Sequence, residues 1–286
     1  MNADHEPSHV DKEAFDVYYL TGKHVLETCT NVDDYVSTFE RRFLSPFYAG
    51  GTMKGFMRGL SVKYLLDAVA KSGRPPEQAT VMDAGCGRGT LSVYLACKGF
   101  NVIGVDISET ACSVSDRLAN TIGVGKKVQF LARSLDDLFG VDDNSIDYVI
   151  GHEALHHFIK YEKVPRELRR VMKADGKAYF ADGFGENRLY HVFWDRKRRE
   201  CQGDVCLTRR LITDYFSGFK VTFVATDWFT MLDKLYLRIL PSRVKPLVRK
   251  LSRIHFALDR LVERASWAVF LSGKVITIVD CCARPS

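Results

Sequence analysis

The amino-acid sequence predicts an α/β protein built on a doubly wound, mostly parallel sheet of seven strands. From residue 79 onward, short apolar segments of strand length alternate with segments of helical periodicity. This alternation is typical of parallel sheets covered by helices on both faces. A glycine-rich loop joins the first such strand to the helix that follows it. The 286 residues are 46% hydrophobic and 27% charged, so the chain is globular and long enough to bury a core.

Seven segments are predicted as strands because each is short, apolar and bounded by polar or turn-forming residues. They are residues 79–83, 101–106, 128–132, 146–150, 178–181, 221–225 and 275–280. Helices are predicted at about 60–72, at 90–98, from Ser108 as N-cap to Asn120, and from about Pro165 onward. Ligands of such sheets bind at the carboxyl ends of the strands, where the strand order reverses. Chemistry is therefore expected at that edge.

The loop after the first predicted strand, residues 83–89, has the sequence DAGCGRG. Glycines between a strand and a helix let the backbone approach a ligand closely, and the helix N-terminus favours negative charge. The third glycine stands at the fifth position of the loop motif, whereas the dinucleotide fingerprint has it at the sixth. The second predicted strand ends at Asp106, whose carboxylate can accept hydrogen bonds from both hydroxyls of a ribose.

These residues resemble the class I S-adenosylmethionine-dependent methyltransferases, in particular the small-molecule, methyltransferase type 11-like group. The resemblance includes the D-x-G-x-G-x-G loop and the acid that ends the second strand. It continues in SIDYVIGHEALHHF at 145–158, and in LRRVMKADG at 168–176 with the strand that follows it. The four elements occur in the order that the family has, and together they span roughly residues 60–226. The resemblance implies a Rossmann-like methyltransferase fold.

The resemblance also implies a cofactor, S-adenosyl-L-methionine, with S-adenosyl-L-homocysteine as its product. The loop glycines would lie against the methionine part, Asp83 would orient the loop and the amino group, and Asp106 would hold the ribose. In the family an acid usually ends the third strand and contacts the adenine; by alignment Ser134 takes its place here. The cofactor-binding residues implied are Asp83, Gly85, Cys86, Gly87, Asp106, Ile107, Ser134 and Leu135.

Candidates for the transfer chemistry follow the fourth and fifth predicted strands. Methyl transfer is a direct displacement, and a general base is needed when the acceptor is a hydroxyl or a carbon acid. His152 and His156 are the candidate bases, although either could be a structural histidine. Glu153 and Asp182 are candidate substrate contacts, and Glu153 could equally be solvated. The nearby histidines favour O-methylation of a small-molecule acceptor, with nitrogen or carbon left open.

A basic segment, residues 233–264, carries nine lysines and arginines against three acids, which accounts for the whole net charge of +6. Its leucines recur at helical spacing, which predicts an amphipathic helix. The segment could be a solvated cover of the sheet, or could face an anionic lipid surface or an acidic substrate. RNA is the least favoured partner because the helix offers few aromatic residues for stacking. The alternative functions are an RNA or protein methyltransferase and a cofactor-binding module without catalysis.

Four parts of the chain are expected: an N-terminal helical or lid segment at 1–60, a cofactor-binding core at 61–228, an inserted helical cap at 229–270, and the last strand and tail at 271–286. Residues 43–51 are predicted to be a loop or lid rather than core, with a hinge at its two glycines. Candidate lid aromatics are Tyr18, Tyr19, Phe43, Phe47 and Tyr48. Asn187, Arg188, Tyr190 and His191 are candidate walls of the acceptor pocket, or part of a surface helix.

The eight cysteines lack the spacing of a metal site or of a disulfide framework. No apolar run reaches the roughly 18 residues that a membrane-spanning helix needs. The acidic first twenty residues do not resemble a secretory signal. The expectation from these features is a cytoplasmic protein with reduced thiols, no bound metal and no transmembrane segment.

Overall fold

The computed structural model of the protein describes residues 25–44, 53–186, 205–225 and 274–281, with single positions and short runs between 243 and 272. The helices are α1 Val32–Phe39, α2 Met53–Ser72, α3 Thr90–Cys97, α4 Glu109–Ile122, α5 Leu155–Phe158, α6 Val164–Val171 and α7 Arg209–Tyr215. The strands are β1 Thr80–Ala84, β2 Asn101–Asp106, β3 Val128–Ala132, β4 Ile146–His152, β5 Met172–Gly183, β6 Lys220–Ala225 and β7 Lys274–Asp280. Short 3₁₀ turns occur at Val25–Thr28 and Pro76–Gln78, and a π-helical turn at Glu40–Leu44.

The seven strands form one sheet in the order β3-β2-β1-β4-β5-β7-β6. The pairs from β3 to β5 are parallel, and β7 runs antiparallel to both β5 and β6. The predicted doubly wound, mostly parallel sheet is therefore confirmed. The order reverses between β1 and β4, so the carboxyl ends of these two strands flank the crevice in which such sheets bind ligands.

Buried apolar side chains pack on both faces of the sheet. One cluster joins α5, α6 and α7 to β4, β5 and β7, and a second joins α1, α2, α3 and α4 to the other face. Helix α4 starts where the sequence predicts: the Ser108 hydroxyl accepts a hydrogen bond from the Ala111 N–H at 2.9 Å. Gly123, in the left-handed conformation with a φ of 89°, ends it.

Two element boundaries differ from the sequence prediction. Helix α2 begins at Met53 rather than near residue 60, because Gly55 and Gly59 mask the helical periodicity of its first two turns. Strand β5 begins at Met172 rather than near 178. Its first residues, Lys173 to Gly176, are polar and turn-like in sequence, and the pairing with β4 shifts register there.

At Phe43 the prediction of a loop or lid is wrong. Phe43 lies in the π-helical turn that extends α1, is buried, and packs against Phe39 with 4.7 Å between ring centroids. Ordinary core packing therefore explains this aromatic residue. The other predicted lid residues, Tyr18, Tyr19, Phe47, Tyr48, Gly50 and Gly51, and the predicted pocket wall Asn187, Arg188, Tyr190 and His191, lie outside the described residues.

An ion-pair cluster fastens the amino edge of the sheet. Asp147, near the start of β4, is buried and accepts hydrogen bonds from Arg74 and Lys173 at 2.8–2.9 Å. Its second oxygen also accepts from the Thr80 N–H at the start of β1, at 2.9 Å. Two cations and a backbone donor thus join α2, β1, β4 and β5 at the edge opposite the ligand crevice.

Among the described residues, no helix is both long enough and apolar enough to cross a membrane.

Candidate active site

The glycine loop between β1 and α3 depends on left-handed backbone conformations. Gly85, Gly87 and Gly89 have φ angles of 74°, 53° and 65°, which side chains rarely adopt. The Gly85 N–H donates to the Val105 carbonyl at 2.8 Å, which ties the loop to β2. A Cβ atom at Gly85 would lie 2.8 Å from the Cβ of Ala154. The loop therefore packs directly against the segment that joins β4 to α5.

Two carboxylates are held by this loop and its helix. Asp106, at the end of β2, is buried, and its carboxylate accepts from the Gly87 N–H at 2.9 Å and the Ser108 N–H at 3.0 Å. Asp83, at the end of β1, is also buried and accepts from the Ser92 hydroxyl at 2.6 Å. Each carboxylate oxygen can accept more than one hydrogen bond. Asp106 is thus oriented at the crevice and keeps the capacity to accept from a ligand.

The Cys86 side chain turns away from the crevice. A Cβ at Gly104 of β2 would lie 3.1 Å from its sulfur, so the thiol packs between the loop and the sheet. A hydrogen bond with Cys112, burial and the charges of Asp106 and Asp83 raise the pKa of the Cys86 thiol well above its usual range. The thiol therefore stays neutral, and only the backbone of Cys86 is placed to face a cofactor.

Three other predicted cofactor residues follow β2 and β3 at the carboxyl edge of the sheet. Leu135 is buried in the core and Ile107, after β2, is half-buried. The Ser134 hydroxyl oxygen is buried and has no hydrogen-bond partner. A buried hydroxyl without a partner costs free energy, and a ligand that supplies the missing hydrogen bond recovers it. The residues at this edge therefore fit a nucleoside whose base reaches Ser134 and whose ribose reaches Asp106.

His152 is the last residue of β4 and faces the α2 side of the sheet. Its Nε2 atom forms a hydrogen bond with the hydroxyl of Ser61 on α2. The structural partner of this histidine is thus a helix hydroxyl. A hydroxyl can donate or accept, so the contact orients the ring without fixing its tautomer.

His156 and Asp182 form a hydrogen-bonded pair on the other side of the sheet. The distance from His156 Nδ1 to Asp182 Oδ1 is 2.6 Å, and the carboxylate is buried at the end of β5. The His157 ring packs on that of His156 with 4.0 Å between centroids. A carboxylate at Nδ1 selects the tautomer that carries its proton there, and leaves the lone pair on Nε2.

Glu153 is held by a lysine that no sequence motif indicated. Its carboxylate accepts a hydrogen bond from Lys274, a buried residue at the start of β7. Glu153 also has a left-handed backbone, with a φ of 51°, a conformation that side chains other than glycine adopt at a cost and often at functional sites. The Glu153 side chain is 24% exposed, and a substrate contact would share its carboxylate with Lys274.

The cofactor loop and the histidine segment meet at Ala154. That residue contacts Gly85 on one side and is followed at once by Leu155, whose N–H donates to Asp182 at 3.4 Å. The structure thus gathers the predicted residues around one edge, with His152 and His156 on opposite faces of the sheet. Within the described part of the chain, no group of three or more His, Cys, Asp or Glu side chains could hold a metal ion.

Residues 82–180 match the family model described as a methyltransferase domain. Ubiquinone biosynthesis O-methyltransferase of Dechloromonas aromatica is 28% identical over 122 residues, 43% of this chain and 50% of that protein. tRNA 5-carboxymethoxyuridine methyltransferase of Escherichia coli is 28% identical over 147 residues, 51% of this chain and 53% of that protein. The chain therefore spans about half the length of these curated relatives.

The fold extends beyond the matched sequence. Geranyl diphosphate C-methyltransferase from Streptomyces coelicolor, solved with Mg²⁺, geranyl diphosphate and S-adenosyl-L-homocysteine, superposes with a TM-score of 0.59. The superposition covers 96% of this chain and 98% of that chain at 16% identity, so it shows a common fold. The fold, the glycine loop and the family match define a methyltransferase domain. The sequence match at residues 82–180 and the shared fold together support a class I S-adenosylmethionine-dependent methyltransferase.

Proposed function

We propose that this chain binds S-adenosyl-L-methionine at the carboxyl ends of β1, β2 and β3 and transfers its methyl group to a hydroxyl of a small-molecule acceptor. The cofactor supplies a sulfonium methyl group that is open to direct displacement. The observation that carries the proposal is the contact between Gly85 of the cofactor loop and Ala154. It brings the histidine-bearing segment against the loop that would hold the methionine end of the cofactor.

Each end of the cofactor has a matching group in this chain. The Asp106 carboxylate, oriented by two backbone N–H groups, would accept hydrogen bonds from the ribose hydroxyls. The Ser134 hydroxyl, buried without a partner, would bond the adenine. The backbone of residues 85–87, kept open by glycine, would approach the methionine moiety. These assignments follow the family pattern, with a serine where an acid is usual.

His156 is the proposed general base. Asp182 would hold the Nδ1 proton, direct the Nε2 lone pair toward the acceptor, and stabilise the imidazolium that forms when the acceptor hydroxyl loses its proton. His152, bonded to Ser61, and Glu153, bonded to Lys274, would then line the acceptor site from the α2 side. In this arrangement the base, His156, would lie on one face of the sheet edge. The acceptor contacts, His152 and Glu153, would lie on the other face.

A hydroxyl acceptor is supported by the histidine–aspartate pair, because a hydroxyl must lose a proton on methylation and a neutral amine needs a base much less. The ubiquinone biosynthesis relative is named as an O-methyltransferase, which agrees with this choice. A second candidate is methylation of RNA. It is favoured by the tRNA methyltransferase relative and by the basic segment at 233–264.

A fractionation experiment separates the two candidates. The protein is incubated with S-adenosylmethionine carrying a tritiated methyl group and with a cell extract divided into small molecules, total RNA and protein. The proposal expects label in the small-molecule fraction, and base-stable label, because an ether survives mild alkali. Label confined to the RNA fraction would replace it with the second candidate, and label in no fraction would remove the proposed activity.

A further inference from the structure

The basic segment presents apolar side chains to solvent on one side. Positions 254, 257 and 261 are helical and exposed, and they follow the three- and four-residue spacing that places side chains on one helix face. Ile254 is 56% exposed and Leu261 is 81% exposed. We call Ile254, Ala257 and Leu261 the outer stripe. A surface helix of a globular protein usually turns such a stripe toward the core.

The same segment and the residues that directly follow it are anchored to the body of the protein through other side chains. Asp259 is buried, Val262 and Ala265 pack against the cluster of β4, β5 and β7, and Val269 is buried within that cluster. The Val269 N–H donates to the Ala265 carbonyl at 3.2 Å. The outer stripe is therefore not the core-facing side of an undocked helix. It is a second apolar side of the helix, and it is exposed while the first apolar side packs against the core.

The charge of the segment indicates what the outer stripe could contact. Residues 233–264 contain nine basic and three acidic residues, and Arg253 and Arg260 directly precede Ile254 and Leu261. Asp259, one of the three acids, is buried. Just beyond the stripe, Trp267 is half-exposed, and tryptophan favours the boundary between water and lipid.

We propose that the outer stripe docks the protein on an anionic lipid surface. Apolar side chains beside basic ones are what an interfacial helix needs, since the apolar groups enter the acyl boundary and the cations meet the headgroups. An RNA partner would instead require aromatic residues for base stacking, and Phe256 is the one aromatic residue between positions 247 and 264. The inference stands on the surface alone and does not depend on the proposed acceptor.

Vesicle co-sedimentation tests the proposal, with the full chain and two kinds of vesicle: phosphatidylcholine alone, and an equimolar mixture with phosphatidylserine. The protein should pellet with the anionic vesicles, less so as salt rises, and weakly with the neutral ones. The double variant Ile254→Ser/Leu261→Ser should bind the anionic vesicles about tenfold more weakly. The matched control is Phe139→Ser, which removes another exposed apolar side chain, 74% exposed, from the connection between β3 and β4.

Both variants should retain a wild-type circular dichroism spectrum and melting temperature, because the substituted side chains are exposed. The control variant should bind vesicles as the wild type does. The proposal is overturned if the wild type does not pellet with anionic vesicles, if it binds neutral ones equally, or if the double variant binds as tightly as the control. A gel shift with total tRNA that the double variant loses, without vesicle binding by the wild type, would assign the surface to nucleic acid instead.

Discussion

The two edges of the sheet hold their buried aspartates in different ways. At the amino edge, Asp147 accepts hydrogen bonds from Arg74 and Lys173, so its charge is neutralised by side-chain cations. At the carboxyl edge, Asp106 accepts from the backbone N–H groups of Gly87 and Ser108. These backbone donors orient its carboxylate at the crevice.

We interpret this difference as one between a structural acid, Asp147, and a proposed binding acid, Asp106. A carboxylate bonded by two cations is neutralised within the protein. Its removal therefore lowers the free energy of unfolding. A carboxylate that accepts from backbone N–H groups is oriented by them, and its oxygens can accept further hydrogen bonds from a ligand. The same residue type in the same sheet can therefore serve two purposes. A variant at Asp147 should lose stability, and a variant at Asp106 should lose ligand affinity.

The largest effect is expected at the binding acid. Asp106→Ala should weaken the binding of S-adenosylhomocysteine by about 100-fold or more, because charge-assisted hydrogen bonds to two ribose hydroxyls are lost at about 1.5–3 kcal/mol each. Isothermal titration calorimetry measures the affinity. Circular dichroism should show that the variant is folded. An affinity equal to that of the wild type would refute the assignment of Asp106 to the ribose. It would also remove the distinction between Asp106 and Asp147.

The proposed catalytic pair, His156 and Asp182, should affect turnover and leave cofactor binding intact. With an acceptor in hand, His156→Gln should lower kcat by about 100-fold, the usual contribution of a general base. Asp182→Asn should act in the same direction, since its amide can no longer stabilise the imidazolium. The wild-type rate should fall on the acid side as the base takes up a proton, and this fall should vanish in His156→Gln.

His157→Gln is the matched control for this pair. Its ring packs on that of His156, so the variant tests whether packing alone explains a loss of rate. A kcat within about threefold of the wild type is expected for it. Equal losses of kcat in His156→Gln and His157→Gln would show that turnover depends on the packing of the two histidine rings rather than on a base at His156. A normal rate in His156→Gln with a loss in His152→Ala would transfer the role of base to His152.

The structural acid should affect stability. Asp147→Ala should lower the free energy of unfolding by about 2 kcal/mol, because a buried carboxylate with three donors is removed and its cations lie partly in solvent. Urea denaturation followed by circular dichroism measures this change. Calorimetry should find S-adenosylhomocysteine affinity almost unchanged. A large loss of affinity here would remove the distinction between the two edges.

The smallest effect is expected at Ser134. Ser134→Ala removes a buried hydroxyl without a partner, so the ligand-free protein should gain about 1 kcal/mol of stability. Affinity for the cofactor should fall about fivefold, by loss of one neutral hydrogen bond to the adenine. Thermal melts with and without S-adenosylhomocysteine give both numbers. A variant whose affinity for S-adenosylhomocysteine was unchanged or higher would place the adenine elsewhere.

The sheet and the cofactor edge could be predicted from the sequence because their signals are local. Each strand is a short apolar run, Ser108 caps its helix three residues away, and the glycine loop and Asp106 belong to one strand–helix–strand unit. The four sequence elements that resemble the family, in the family's order, predicted the Rossmann-like fold. Boundaries failed where glycine or polar residues weaken periodicity, as at the start of α2 and β5.

The partners of the acceptor-side residues could not be predicted because they are distant in the chain. Ser61 lies 91 residues before His152, and Lys274 lies 121 residues after Glu153. Neither contact belongs to a motif. The sequence contains one weak indication that Ser61 is a partner: it is a serine on the apolar side of α2, four residues before the buried Leu65. Lys274 opens an apolar strand and reads in sequence as a solvated end.

The central claim is that the carboxyl edge of β1, β2 and β3 holds the cofactor with Asp106 as its ribose acid. A crystal structure of the protein with S-adenosylhomocysteine tests this claim most directly. The account predicts ribose hydroxyls within hydrogen-bond distance of the Asp106 carboxylate, adenine beside Ser134, and sulfur facing residues 151–156. A ligand bound at another edge, or a ribose that contacts neither oxygen of Asp106, would contradict it.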